Sequence, residues 1–194
     1  MTEWKVIGEE LYRKGVDKNP LGNKHYGYRK VFLELPDGRE GVYFGVDVSR
    51  CVHIVPVEDD LTTYLVWQSR PNAMLPGGKK VPRFLEFPGG FRSRRLNLEN
   101  SAQLELTQEI GRYAGKITKL GVILPSVGLS NERDHIYLGE KLEQTKIIVS
   151  EEPTEQDIRV ESFNFGTIYD RTRKSKVPVS AQTLSALSMA EAML

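Results

Sequence analysis

The chain has one cysteine, no long apolar run and almost no net charge. Its 27 basic and 26 acidic side chains nearly cancel, so no global field favours nucleic acid or a membrane surface as a partner. Cys51 cannot form an internal disulfide, and the charged first residues do not resemble a secretory signal, so we expect a cytoplasmic protein. Charged residues interrupt every apolar stretch before the roughly 20 residues that a membrane span needs. These absences predict a soluble protein.

Histidine and cysteine, which often ligate metals or take part in catalysis, are also scarce. The three histidines, His25, His53 and His135, are scattered without the spacing of a zinc site. His53 lies in a predicted strand, where we expect a structural role. Cys51 has no recognisable base partner in the sequence and is expected to pack as a small hydrophobic residue.

The first half of the chain predicts strands separated by turns. β-rich runs occur at 28–35 and 40–46, and Asp37-Gly38 between them is a strong hairpin signal. Two more runs, 51–57 and 62–68, are expected to be adjacent strands of the core. A length of 194 residues fits one domain with an extension, so we predict an N-terminal β extension at 1–50 and a domain at 51–194.

The second half combines helices with strands. After Asn97, a candidate N-cap, apolar residues recur at every fourth position up to Gly111, as in an amphipathic helix with a glycine stop. Strand-like runs return at 117–124, 134–139 and 158–165, and a last helix is predicted from Ser180. This order predicts an α+β domain of the α/β/α type with a mixed sheet, rather than a doubly wound parallel sheet.

The helix after Asn97 carries a pair of carboxylates. Glu105 and Glu109 lie one turn apart and therefore share a face. Oxygen ligands of this kind suit Mg²⁺, and the turn at Gly89 can expose a backbone carbonyl as a further ligand. The alternative is an ordinary solvated helix face, since glutamate pairs at this spacing are common on protein surfaces.

The spacing of two glycines favours the metal site. Gly90 and Gly111 lie 21 residues apart, like the two glycines of the Nudix box, G-x5-E-x7-R-E-U-x-E-E-x-G-U with U aliphatic. In this register Glu105 matches the Glu after Arg, Leu106 the aliphatic position, and Glu109 the second Glu of the E-E pair. The stretch between the glycines resembles an eroded Nudix box, the pyrophosphate-hydrolysing motif.

The flanking sequence resembles the ADP-ribose pyrophosphatase branch of the Nudix superfamily, over residues 50–194. The resemblance implies a Nudix-like fold. The similar segments are 85–90 (to E-x-P-A-G), Gln68-Ser69-Arg70 (to Q-x-R), Leu120-Gly121 (to L-G), 125–132 (to S-P-G-x-x-x-E) and 151–160 (to the acidic loop that enters a strand).

Four positions depart from the box. Leu96 replaces its first Glu, Leu104 its Arg, Gln108 the first Glu of the E-E pair, and Arg112 an aliphatic residue. Leu104 cannot orient carboxylates by charge-assisted hydrogen bonds, and Gln108 offers a metal only a neutral oxygen. These changes argue against catalysis by the ordinary family route.

The resemblance implies roles for the matching residues. Gly89, Glu105 and Glu109, with Gln108 as a water-mediated contact, would hold Mg²⁺ or Mn²⁺. Glu105 and Glu109 would also be catalytic. The candidate bases for the attacking water are Glu152 and Glu155; the alternative for both is a solvated acidic loop.

Substrate binding is implied for three further residues, Arg70, Glu86 and Glu132. The planar guanidinium of Arg70 suits a phosphate, although a structural salt bridge is an equal alternative.

Two functions remain open. One is Mg²⁺-dependent hydrolysis of a nucleoside diphosphate derivative such as ADP-ribose or a nucleotide sugar. The other is a catalytically silent Nudix-like module that binds a nucleotide or a protein. The resemblance also implies a homodimer that exchanges N-terminal strands, which here would involve the hairpin at Asp37-Gly38.

Overall fold

In a computed structural model of the chain, residues 4–12, 25–74, 78–146, 158–174 and 177–194 are described. Contacts between residues divide the chain into two units. The first unit contains Met1–Arg50 and Leu124–Arg133, and the second contains Cys51–Ile123 and Asp134–Leu194.

The first unit contains a three-stranded antiparallel sheet in the order β1 (Lys5–Tyr12), β2 (Tyr26–Glu34) and β3 (Glu40–Val48). The turn between β2 and β3 confirms the predicted hairpin. Gly38 has a φ of +83°, which a residue without Cβ adopts at little cost, and its N–H donates to the carbonyl of Leu35. β1 was not predicted from the sequence.

The second unit contains two sheets. One has the order β7 (Gly89–Phe91), β4 (Cys51–Pro56), β9 (Asp134–Gln144), β8 (Arg112–Ile123); the other has the order β10 (Arg159–Asn164), β5 (Thr62–Ser69), β6 (Arg83–Glu86). β4 and β9 pair in parallel and the other pairs are antiparallel, so the sheet is mixed as predicted.

The expectation that β4 and β5 are adjacent strands is wrong. Both edges of β4 are occupied, by β7 and by β9, and β5 lies in the other sheet between β10 and β6. A single bridge between Val57 and Thr63 joins the two runs where the chain turns. Short apolar runs predict that strands exist, but they do not predict which strands pair.

The helices of the second unit are α1 (Leu98–Ile110), α2 (Phe165–Arg173) and α3 (Ala181–Glu191). Both predicted ends of α1 are confirmed. The side chain of Asn97 accepts a hydrogen bond of 2.7 Å from the N–H of Asn100, and Gly111 ends the helix with a φ of +65°. None of the described helices is long and apolar enough to cross a membrane.

The sheet that contains β4 has a helix on each face, because strand side chains alternate between faces. Val52 and Ile54 of β4 pack with Leu106 of α1 in one buried cluster. Val55 of β4 packs with Leu187 of α3 in the other. The predicted α+β architecture with helices on both faces of a mixed sheet is therefore confirmed.

The two leucines of α3 provide a test of this packing. Leu187 is fully buried, whereas Leu184 is 42% exposed although it lies on the same helix. We expect Leu187→Ala to lower the free energy of unfolding by about 2–5 kcal/mol, because the cavity adds to the lost transfer free energy. Leu184→Ala should cost less than about 1 kcal/mol. Urea denaturation of both variants measures the difference, and equal losses would contradict the described orientation of α3.

Candidate functional site

Two glycines form the start of the short edge strand β7. Gly90 pairs with Val52 of β4, and Gly89 pairs with His53. Because successive residues face opposite sides of a strand, Gly90 faces α1 with Val52, and Gly89 faces the other side with His53. The preceding residues anchor the pair: Phe87 is buried in the core, and the carbonyl of Pro88 accepts from the N–H of Ile54.

Both predicted carboxylates of α1 reach these glycines. A Cβ on Gly90 would lie 2.7 Å from Oε1 of Glu105, so the carboxylate occupies the space that a side chain would fill. The N–H of Gly89 donates a hydrogen bond of 3.2 Å to Oε2 of Glu109, which is a buried side chain. The sequence prediction that Glu105 and Glu109 share a face of the helix is confirmed, and this face meets the glycine turn.

The chemistry of this donor set fits a hard divalent cation. Glu105 and Glu109 supply carboxylate oxygens at the Gly89-Gly90 edge. Mg²⁺ prefers such oxygen ligands. Burial of a carboxylate such as that of Glu109 is costly unless hydrogen bonds or a cation compensate it. Gln108 lies half-buried on α1. Metal binding by Gly89, Glu105, Gln108 and Glu109 stays a prediction.

Arg70 and Glu86 form an ion pair across β5 and β6. The Arg70 Nε donates to Oε2 of Glu86 at 3.0 Å, and its Nη2 bonds to the same oxygen. The Glu86 carboxylate is nearly buried, whereas 43% of the Arg70 side chain is exposed. The salt bridge that was the alternative for Arg70 is therefore present. The substrate contacts predicted for Arg70 and Glu86 remain untested.

Three other residues were predicted to take part in the site. Glu132 belongs to the 124–133 segment of the first unit, where its N–H donates to the hydroxyl of Ser130. Glu152 and Glu155 lie outside the described residues. The roles of substrate contact for Glu132 and of base for Glu152 or Glu155 stay predictions.

The departure at Arg112 has a structural explanation. Its Nη2 donates to the hydroxyl of Tyr64 at 3.0 Å, and this hydroxyl donates to Oε1 of Glu58 at 3.1 Å. Burial raises the pKa of Tyr64 above its ordinary value, and the hydrogen bond to Glu58 raises it further. An aliphatic residue at 112 would remove the hydrogen bond to Tyr64 and the ion pair with Glu58, so Arg112 belongs to a polar cluster with these two residues.

Two residues near the glycines, His53 and Asp134, had no predicted role in the site. His53 lies directly against Gly89, where an added Cβ would collide with the imidazole Nδ1. The opposite nitrogen, Nε2, lies 3.5 Å from Oδ2 of the fully buried Asp134. No motif signalled this contact, because it depends on the pairing of β4 with both β7 and β9.

Known proteins are similar to this chain in sequence and in fold. An ADP-ribose pyrophosphatase of Bacillus subtilis (strain 168) is 30% identical over 111 residues, which cover 57% of this chain and 56% of the relative. The match thus spans about half of that protein. A solved structure described as an ADP compounds hydrolase matches with a TM-score of 0.77 and 18% identity, covering 99% of this chain and 94% of that one.

No protein-family model matches the chain. The similarity of sequence and the match of fold nevertheless agree with each other and with the prediction from the sequence motif. The chain thus has the α+β fold of that solved structure, and part of its sequence is similar to an ADP-ribose pyrophosphatase, in line with the resemblance of residues 90–111 to a Nudix box.

Proposed function

We propose that the protein hydrolyses a nucleoside diphosphate derivative, of the ADP-ribose or nucleotide-sugar type, to monophosphate products with the help of Mg²⁺ or Mn²⁺. The observation that supports this most is the approach of Glu105 and Glu109 to the Gly89-Gly90 edge. The similar ADP-ribose pyrophosphatase supports the substrate class.

Each residue has a distinct part in the proposal. Glu105, Glu109 and the Gly89 carbonyl hold the metal, with Gln108 contacting it through water. When bound, the metal neutralises the charge that develops on the diphosphate as water attacks phosphorus. The hydrogen bond from the N–H of Gly89 fixes the Glu109 carboxylate at the glycine turn.

Arg70, Glu86 and Glu132 are the proposed substrate-binding residues. The exposed part of Arg70 grips a phosphate while Glu86 fixes the guanidinium, because charge-assisted bonds to a carboxylate orient it. Glu132 contributes to substrate binding, and Glu152 or Glu155 supplies the base.

A second candidate is a catalytically silent module that binds a nucleotide or a protein partner. Leu96, Leu104 and Gln108 favour it, because they remove two acidic groups and one basic group from the box. The retained Glu105 and Glu109, both directed at the glycine turn, favour the enzyme.

An activity assay separates these candidates. Purified protein is incubated with ADP-ribose, NADH or nucleotide sugars and Mg²⁺ or Mn²⁺, and release of monophosphate is followed. We expect turnover that Glu109→Gln lowers by 10²-fold or more, because the metal loses a charged ligand. Gln108→Ala should keep most of the activity, and Gln108→Glu should raise it by restoring the third carboxylate.

The result that contradicts catalysis is equally specific. If the wild type shows no turnover and nucleotide binding persists in Glu109→Gln, the protein is a catalytically silent binding module. Circular dichroism of each variant controls for loss of fold.

The close contact at Gly90 gives a second test of the site. In Gly90→Ala the new methyl group would meet the Glu105 carboxylate at 2.7 Å, so that flexible side chain must move. We expect affinity for Mn²⁺, measured by electron paramagnetic resonance, to fall by about tenfold, with a melting temperature close to that of the wild type. Gly128→Ala, where an added Cβ meets nothing within 4 Å, is the matched control. Equal Mn²⁺ affinity in both variants would argue against Glu105 as a ligand.

We further propose that the protein forms a homodimer through the sheet of the first unit. Tyr28 and Val46 are paired on β2 and β3, and Lys30 pairs with Phe44, so Tyr28 and Phe44 share one face. Tyr28 is 75% exposed and Phe44 is 70% exposed. Such an exposed aromatic face is typical of interaction surfaces, and a second copy of the same sheet would complement it.

Sedimentation equilibrium tests the dimer. We expect a dimer at micromolar concentration, and Phe44→Glu should shift the equilibrium to monomer because it introduces like charges across the symmetric contact. Val160→Glu, which changes an exposed residue of the second unit, should leave the dimer intact. A wild-type monomer under these conditions would overturn the proposal.

A further inference from the structure

His53 and Asp134 lie behind the glycine turn. Gly89 is paired with His53 across β7 and β4, and both face the side of the sheet opposite α1. The His53 ring fills the space beside the Gly89 Cα, because an added Cβ would collide with Nδ1. The turn therefore has Glu105 packed against Gly90 on one face and His53 packed against Gly89 on the other.

Asp134 explains the orientation of the ring. This carboxylate is fully buried, and neither of its oxygens has a hydrogen-bond partner among the residues that the structure describes. Its Oδ2 lies 3.5 Å from Nε2 of His53. A buried carboxylate without hydrogen bonds is costly, so an imidazole that directs Nε2 towards it is strongly favoured over other rotamers. Nδ1 is then directed at Gly89.

We infer that His53, oriented by Asp134, is a positioning residue that fixes the Gly89 peptide against Glu109 and so sets the affinity for the metal. The inference rests on the proposed function, because Gly89 and Glu109 are the metal ligands there. His53 acts through Gly89 and does not itself touch metal or substrate. Groups that orient metal ligands from behind commonly alter affinity by 10- to 100-fold.

Loss of the His53 ring would loosen the backbone at Gly89. The carbonyl and the N–H of Gly89 belong to neighbouring peptides that share one Cα, and the N–H is bonded to Oε2 of Glu109. If the ring is removed, the Gly89 Cα can shift towards the vacated space. The glycine has no side chain to resist this movement, so both the carbonyl and the Glu109 carboxylate lose their fixed positions.

The test uses His53→Ala and His53→Gln in the full chain. His53→Ala empties the space beside Gly89, whereas His53→Gln keeps part of the volume and a polar group on the side of Asp134. We expect Mn²⁺ affinity, measured by electron paramagnetic resonance, to fall about tenfold in His53→Ala and less in His53→Gln. The Gly89 amide should exchange with solvent faster in His53→Ala, as observed by nuclear magnetic resonance. His25→Ala, the same change in the first unit, should alter neither quantity.

The outcomes distinguish the inference from the function on which it rests. If the wild type binds Mn²⁺, Glu109→Gln abolishes binding and His53→Ala binds like the wild type, the inference is overturned and the metal site stands. If the wild type binds no Mn²⁺, both are overturned. Should His53→Ala fold poorly, His53→Gln decides: wild-type affinity together with unchanged Gly89 exchange overturns the inference.

Discussion

The contact between the Gly89-Gly90 edge and the α1 carboxylates depends on the absence of two side chains. Gly90 leaves the space that the Glu105 carboxylate occupies, and Gly89 leaves the space that His53 occupies. A side chain on Gly90 would displace the Glu105 carboxylate, and one on Gly89 would displace His53. The two glycines therefore let acidic oxygens approach the backbone of β7 closely, and oxygen ligands are the kind that a hard divalent cation prefers.

The sequence predicts α1 accurately because its signals are local. Asn97 and Gly111 determine the ends through their own backbone and side-chain geometry, and Leu106 is buried where the periodicity predicts. The grouping of Glu105 with Glu109 follows from helix geometry alone. By contrast, α2 was not predicted, although Phe165 and Ile168 are spaced as on one helix face, because the helix has only nine residues and begins directly after β10.

Features that arise from strand pairing could not be predicted in the same way. The separation of β4 from β5, the ion pair of Arg70 with Glu86 across β5 and β6, and the contact of His53 with Gly89 each require knowing which strands are neighbours. A single sequence specifies which residues favour strands but only weakly specifies their partners, because pairing is decided by long-range packing.

The substituted positions Leu104, Gln108 and Arg112 of the box are of two kinds. Arg112 stands where the box has an aliphatic residue, but it donates a hydrogen bond to Tyr64 and forms an ion pair with Glu58, so the fold accommodates it. Gln108 stands where the box has a carboxylate, and Leu104 stands where it has the guanidinium that would orient Glu105 and Glu109, so both changes would weaken the proposed hold on a cation. A site with fewer charged ligands depends more on how firmly the remaining ones are held. If Glu105 and Glu109 hold a metal as proposed, the packing on both faces of the glycine turn would help to set the metal affinity, and a residue such as His53 would influence the site without supplying an oxygen ligand.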